Sequence, residues 1–182
     1  MKNADRLALT HWGVAFAAFA AAVVLGAWQM LVRSPLHAWL SDAELYYRSV
    51  TAHGTVLAYV FPTLIVMGLG YAVCATALDR PLRASGWGWA GFWLLIAGTL
   101  SASVSVGLGR ASVLYTFYPP LTGSVFYYLG VVLVVVGSWF WIGVMLANYR
   151  DWKRTHPQQR VPLALFGIVV STPVEFSPES SK

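Results

Sequence analysis

Apolar and polar positions along this chain fall into long blocks rather than into alternation. Leu7 to Val32 carries no Asp, Glu, Lys or Arg, and neither do Ser49 to Leu78, Trp87 to Gly109 or Val125 to Tyr149. Runs of this length meet the roughly 20 residues needed to cross a hydrocarbon core of about 30 Å. A single segment can satisfy its own backbone there only as a helix. The pattern predicts an all-α, polytopic transmembrane helix bundle. Its spans lie at about 7–32, 46–78, 87–109 and 125–149, within a membrane region covering 1–160. The first apolar run is too long for a signal peptide and is followed by more spans, so it reads as a retained helix. Val161 to Ser171 is too short to cross. Residues 161–182 therefore read as a short partial fifth helix followed by a polar, disordered tail, TPVEFSPESSK.

Local punctuation refines the picture. Pro62 predicts a kink in the second span. The Ala-rich centre of the first span, Gly68 and Gly70 in the second, and Ser101, Ser105 and Gly109 in the third predict close helix packing. In RASVLYTFYPPLTGS, Pro119 and Pro120 exclude a continuous helix, so Arg110 to Ser124 is expected to be an ordered aromatic loop at a membrane interface.

Composition agrees with a bilayer setting: 58% of residues are hydrophobic and only 10% charged, against about 25% charged in soluble domains. The net charge of +5 does not indicate nucleic acid, because the basic residues sit between apolar spans. With the N-terminus inside, Lys2, Arg6, Arg80, Arg83, Arg150, Lys153, Arg154 and Arg160 face the cytoplasm, and only Arg33, Arg48 and Arg110 lie outside. Positive residues favour the cytoplasmic side, so this orientation is expected. Cys74 is the single cysteine, which excludes an intrachain disulfide.

Candidate chemistry is sparse. No acidic residue lies between Glu44 and Asp79 or between Asp79 and Asp151, and no nucleotide, zinc or nucleophile motif occurs. One imidazole, His53, sits in the second apolar span. An intramembrane ionisable group is costly and needs a partner. It is either an axial ligand of a haem iron or a histidine hydrogen-bonded to a neighbouring helix, and position alone does not choose. His11 is expected at an interface, and His37 and His156 lie outside the spans.

YYRSVTAHGTVLAYVFP (Tyr46 to Pro62) and VLYTFYPPLTGSVFYYLG (Val113 to Gly130) resemble subunit I of the haem-copper oxygen reductases, most closely the B-family, ba-type cytochrome c oxidases. The similarity runs over about Leu7 to Pro162. It implies that His53, in the motif His53-Gly54, is an axial ligand of a low-spin haem b. It also implies that Tyr115 to Leu121 shapes the outer haem edge, with Tyr115 and Thr116 as candidate contacts on the propionate side. The implied whole enzyme reduces oxygen to water in aerobic respiration, with cytochrome c or a similar donor, in a bacterial or archaeal plasma membrane. The family's copper ligands and active-site haem ligand come from later helices. Copper and that haem are therefore expected only if another chain supplies those helices, and this chain alone is not expected to consume oxygen. The change from apolar run to polar tail after Ser171 reads as a truncated or split product. Two other readings fit the same residues: a non-enzymatic membrane haem-binding or assembly protein, and a non-functional remnant.

Overall fold

Backbone groups in a long uncharged run have no water to bond to in a bilayer, and the chain meets that demand with helices throughout. The computed structural model describes residues 2–35 and 42–170; His37 and the tail after Val170 lie outside them. Helix α1 spans Lys2–Val32, α2 Ala43–Thr55, α3 Phe61–Leu78, α4 Ser85–Gly107, α5 Val125–Thr155 and α6 Leu163–Val170. A π-turn, Val56–Val60, joins α2 to α3. Four rods, counting α2 through α3 as one, are long and apolar enough to cross a membrane. Among the described residues no strand forms; one isolated antiparallel bridge pairs Ala111 with Gly123.

The ends of these helices follow local chemistry. The Asp42 carboxylate accepts the Glu44 N–H at 3.1 Å and starts α2. Ser124 does the same for α5 through the Tyr127 N–H. Helix α4 ends at Gly107, and Gly109 just beyond it has φ +71. There the Arg110 N–H donates to Ser105 O at 2.9 Å and the Gly109 N–H to Val106 O at 3.0 Å. This is a Schellman termination, and it needs a residue tolerant of the left-handed region.

Two observed helices are longer than the charge-free runs. Helix α1 begins at Lys2, and α5 continues through the basic residues Arg150, Lys153 and Arg154. Long cationic side chains at a helix C-terminus stabilise its last turn, so the charges extend α5 rather than ending it. The earlier start of α1 carries His11 about 14 Å into the helix. His11 is fully buried within the bundle. Its Nδ1–H donates to Leu7 O at 2.7 Å, and its ring packs against Tyr71 and Phe92.

Packing is set by small residues. Helices α4 and α5 are antiparallel and meet on two glycine pairs, Gly91 with Gly137 and Gly98 with Gly130. A methyl placed on any of the four would fall within 2.8 Å of the opposing glycine's carbonyl oxygen. Main chain therefore lies on main chain, the approach that C–H···O contacts stabilise in helix pairs. On α3, Gly68 receives the Trp12 indole of α1 and Gly70 the Trp141 indole of α5. Each indole N–H then donates to an α3 carbonyl, Trp12 to Ile65 O at 3.3 Å and Trp141 to Met67 O at 3.1 Å. Helix α3 is thus clasped from both sides.

One end of the bundle carries Lys2, Arg6 and the α3–α4 turn; we call it the basic end. There Asp151 pairs with Arg80 at 3.1 Å and with Arg83. Asn148 is buried, accepts the Arg83 N–H at 2.8 Å, and donates to Arg83 O and Val144 O. The other end carries the Arg110–Ser124 loop. Much apolar surface faces outward, including Phe16, Val24 and Met30 on α1, each more than half exposed. In water that would be a liability; in a bilayer, lipid or further helices cover it.

Candidate functional site

Helix α2 presents two working faces near the loop end. The first holds His53. Its Nδ1 lies 2.8 Å from Ala22 O on α1. A carbonyl only accepts, so Nδ1 carries the proton and Nε2 the lone pair. Gly26, one turn after Ala22, makes room for the ring: a methyl there would sit 2.9 Å from His53 Cε1. The residues flanking the imidazole on α1 are thus small, and its tautomer is fixed by a backbone atom.

The other face holds the outgoing loop. The Arg48 guanidinium donates from Nε to Val106 O at 2.9 Å and from Nη2 to Gly107 O, meeting the last carbonyls of α4. The Thr51 hydroxyl donates to Tyr47 O at 2.8 Å and accepts the Leu114 N–H at 3.0 Å. The Tyr59 hydroxyl donates to Tyr115 O at 2.9 Å. Between them the Tyr115 ring lies on Gly54, where a methyl would come within 2.4 Å of Tyr115 Cδ1. The loop is ordered by its own backbone bonds, Tyr118 N to Val113 O at 3.0 Å and Leu121 N to Tyr118 O at 3.1 Å. The Pro119–Pro120 peptide is cis. Leu114 and Phe117 have φ of 65° and 56°, a region that side chains other than glycine rarely adopt and that costs on the order of 1 kcal/mol or more per residue.

The π-turn matters to this arrangement. Pro62 has no N–H to continue the α-ladder, and Phe61 N–H reaches back five residues to Val56 O. Eight residues along a straight α-helix, Tyr59 would stand about 80° around from Thr51. A π-turn holds one extra residue and sets those at its end back by up to about 100°. Tyr59 thereby returns towards the face of Thr51.

Among the described residues no second histidine stands beside His53. His11 lies in the half of the bundle nearer the basic end, and His156 stacks on Trp152 at 5.0 Å beyond α5. Among the described residues no group of three His, Cys, Asp or Glu side chains gathers. A cavity of about 370 Å³ lies between α1, α2, α4 and α5, bordered by Leu25, Ala52, Tyr59, Ala102, Val106 and Tyr127, and His53 does not line it. Across it Thr55 and Tyr127 share a hydrogen bond of 2.7 Å. Sequence reasoning named His53 and Tyr115 as candidates and Ala22 only as part of an alanine-rich packing stretch, and it did not name Gly26, Thr51 or Tyr59. Only Gly26, the one glycine after the alanine run of α1, left a local signal.

Three comparisons bear on this arrangement. The family model described as Cytochrome C and Quinol oxidase polypeptide I matches residues 6–174. Cytochrome c oxidase subunit 1 of Thermus thermophilus is 34% identical over 132 residues, which is 72% of this chain and 23% of that protein. A cryo-EM structure of a heme-copper terminal oxidase dimer superposes with a TM-score of 0.83 at 34% identity, over 92% of this chain and 29% of that one. The chain thus spans about a quarter of the length of these relatives.

Proposed function

The chain belongs to the cytochrome c and quinol oxidase polypeptide I family, and from that membership we propose that it forms the N-terminal helices of a B-family, ba-type terminal oxidase subunit I. In that subunit His53 would hold a low-spin haem b through its iron. Family membership over residues 6–174 carries this reading; the Nδ1–H bond to Ala22 O, the partner that the hydrogen-bonded alternative expects, is compatible with it because it leaves Nε2 as the electron-pair donor. Metal-bound histidines characteristically give their other N–H to a carbonyl or carboxylate, which fixes the ring and its tautomer. The small residues Ala22 and Gly26 beside the ring fit the same purpose.

A bound haem supplies one-electron transfer at the iron. The chain's own residues hold the ligand ring at one angle, keep the proton on Nδ1, and enclose the loop end of the site with Tyr115 and its neighbours. Oxygen reduction, the copper site and the second haem ligand are the work of helices beyond this stretch of the family fold, with cytochrome c as electron donor. The basic end faces the cytoplasm of a prokaryotic cell, and a haem held by His53 would lie towards the outer side of its plasma membrane.

The test is a reduced-minus-oxidised optical spectrum of the chain, purified in detergent and supplied with haem, for wild type and His53→Ala. The expected result is a b-type band in wild type that the substitution removes. A band that survives His53→Ala overturns the reading.

A further inference from the structure

We propose that Thr51 and Tyr59 are positioning residues that clamp the Val113–Tyr118 loop onto α2 beside His53, making the loop a preformed wall of the haem site. This rests on His53 being a haem ligand. Three independent contacts support it. Thr51, fully buried, accepts the Leu114 N–H. The Tyr59 hydroxyl binds the very next carbonyl of interest, that of Tyr115. Between the two, Tyr115 rests directly on the backbone of Gly54, the residue after His53.

The clamp has a structural reason to exist. Leu114 and Phe117 hold left-handed backbone angles, and such angles persist only where the surroundings over-determine them. Thr51 fixes the strained Leu114 at its N–H. Phe117 is held by aromatic contacts, with ring centroids 6.3 Å from Tyr59 and 5.9 Å from Tyr128. Tyr59 meets the loop twice, through its hydroxyl at Tyr115 O and through its ring at Phe117, and the π-turn is what turns it towards the loop. A loop fixed in this way holds the Tyr115 ring on Gly54, the residue next to His53 along α2, and burial around a haem is one of the levers on its potential.

The experiment compares wild type, Tyr59→Phe, Thr51→Val and Thr51→Ser in the full chain. It measures amide hydrogen exchange over residues 113–118 and, in the haem-loaded protein, the midpoint potential and the position of the α band. Tyr59→Phe keeps the ring and loses only the donor. Thr51→Val keeps the shape and loses the acceptor, and Thr51→Ser restores it. Faster exchange of the Leu114 amide in Thr51→Val, a shifted potential in both Phe and Val variants, and rescue by serine are expected. Unchanged exchange, or faster exchange with an unmoved potential, overturns the clamp while leaving His53 as ligand. A haem signal that survives His53→Ala overturns the underlying reading and this inference with it.

Discussion

Replacing Gly130 by alanine tests the α4–α5 seam, and the structure sets the size of the effect. The added methyl would lie 2.5 Å from Gly98 O, 2.8 Å from Ala102 N and 3.1 Å from Ala102 Cβ. Carbon–oxygen contacts are comfortable from about 3.3 Å, so the helices must part by roughly 0.8 Å. Two of the three obstacles are backbone atoms, which no rotamer change can move. A gap of about 0.5–1 Å forfeits a quarter to a half of each dispersion contact along a seam. Overpacking of this kind costs about 1–3 kcal/mol, and an obstacle made of main chain puts the value near the upper end. Alanine returns up to about 1 kcal/mol through its better helix propensity, leaving a net loss of about 1–2 kcal/mol. Gly143→Ala is the control, because on the same helix its methyl meets nothing within 4 Å. It should be neutral or slightly stabilising. Unfolding of both variants in detergent, followed by circular dichroism during titration with a denaturing surfactant, should separate them by about 2 kcal/mol. If the two agree within about 0.5 kcal/mol, the spread expected of substitutions that touch nothing, the main-chain seam is not what joins these helices.

Other expectations can be checked in the same preparations. The double variant Gly98→Ala/Gly130→Ala should cost less than the sum of its singles, since the first methyl already parts the helices at the shared contact. Asn148→Ala removes one acceptor and two donor bonds at a buried position and should cost about 2 kcal/mol. Asp151→Asn weakens only the partly exposed pairs with Arg80 and Arg83 and should cost at most about 1 kcal/mol; the reverse ranking in the same titration would refute the greater weight of the buried Asn148 bonds. Gly26→Ala should push the His53 ring off its bond to Ala22 O and lower haem occupancy measured by absorbance, whereas Gly13→Ala, whose methyl meets nothing within 4 Å, should not.

The four membrane rods were legible because a bilayer leaves backbone no choice but a helix, and uncharged length alone reports it. Gly68 and Gly70 were recognised as packing positions, although nothing local said that tryptophans from two different helices would fill them. The stripe Ser101, Ser105 and Gly109 was only partly the contact. Ser101 Oγ donates to Phe126 O at 2.8 Å and Ser105 is bonded by Ser124, but Gly109 lies past the helix and the close approach is made at Gly91 and Gly98. Two interleaved rows of small residues share α4, and the facing helix decides between them. The π-turn escaped for a different reason: Pro62 announces a break in the ladder but not whether the helix bends or widens. His53 was visible from its setting. Its partner was not, since a backbone oxygen leaves no letter in a sequence.

That last point governs how the site can change over generations. An acceptor that belongs to the main chain survives every substitution at its own position, so no point mutation of Ala22 can abolish the proton-holding bond outright. Variation at the site is then filtered by bulk alone, at Ala22 and Gly26, and by anything that slides α1 along its axis. The chemistry of the imidazole is inherited through the placement of a helix.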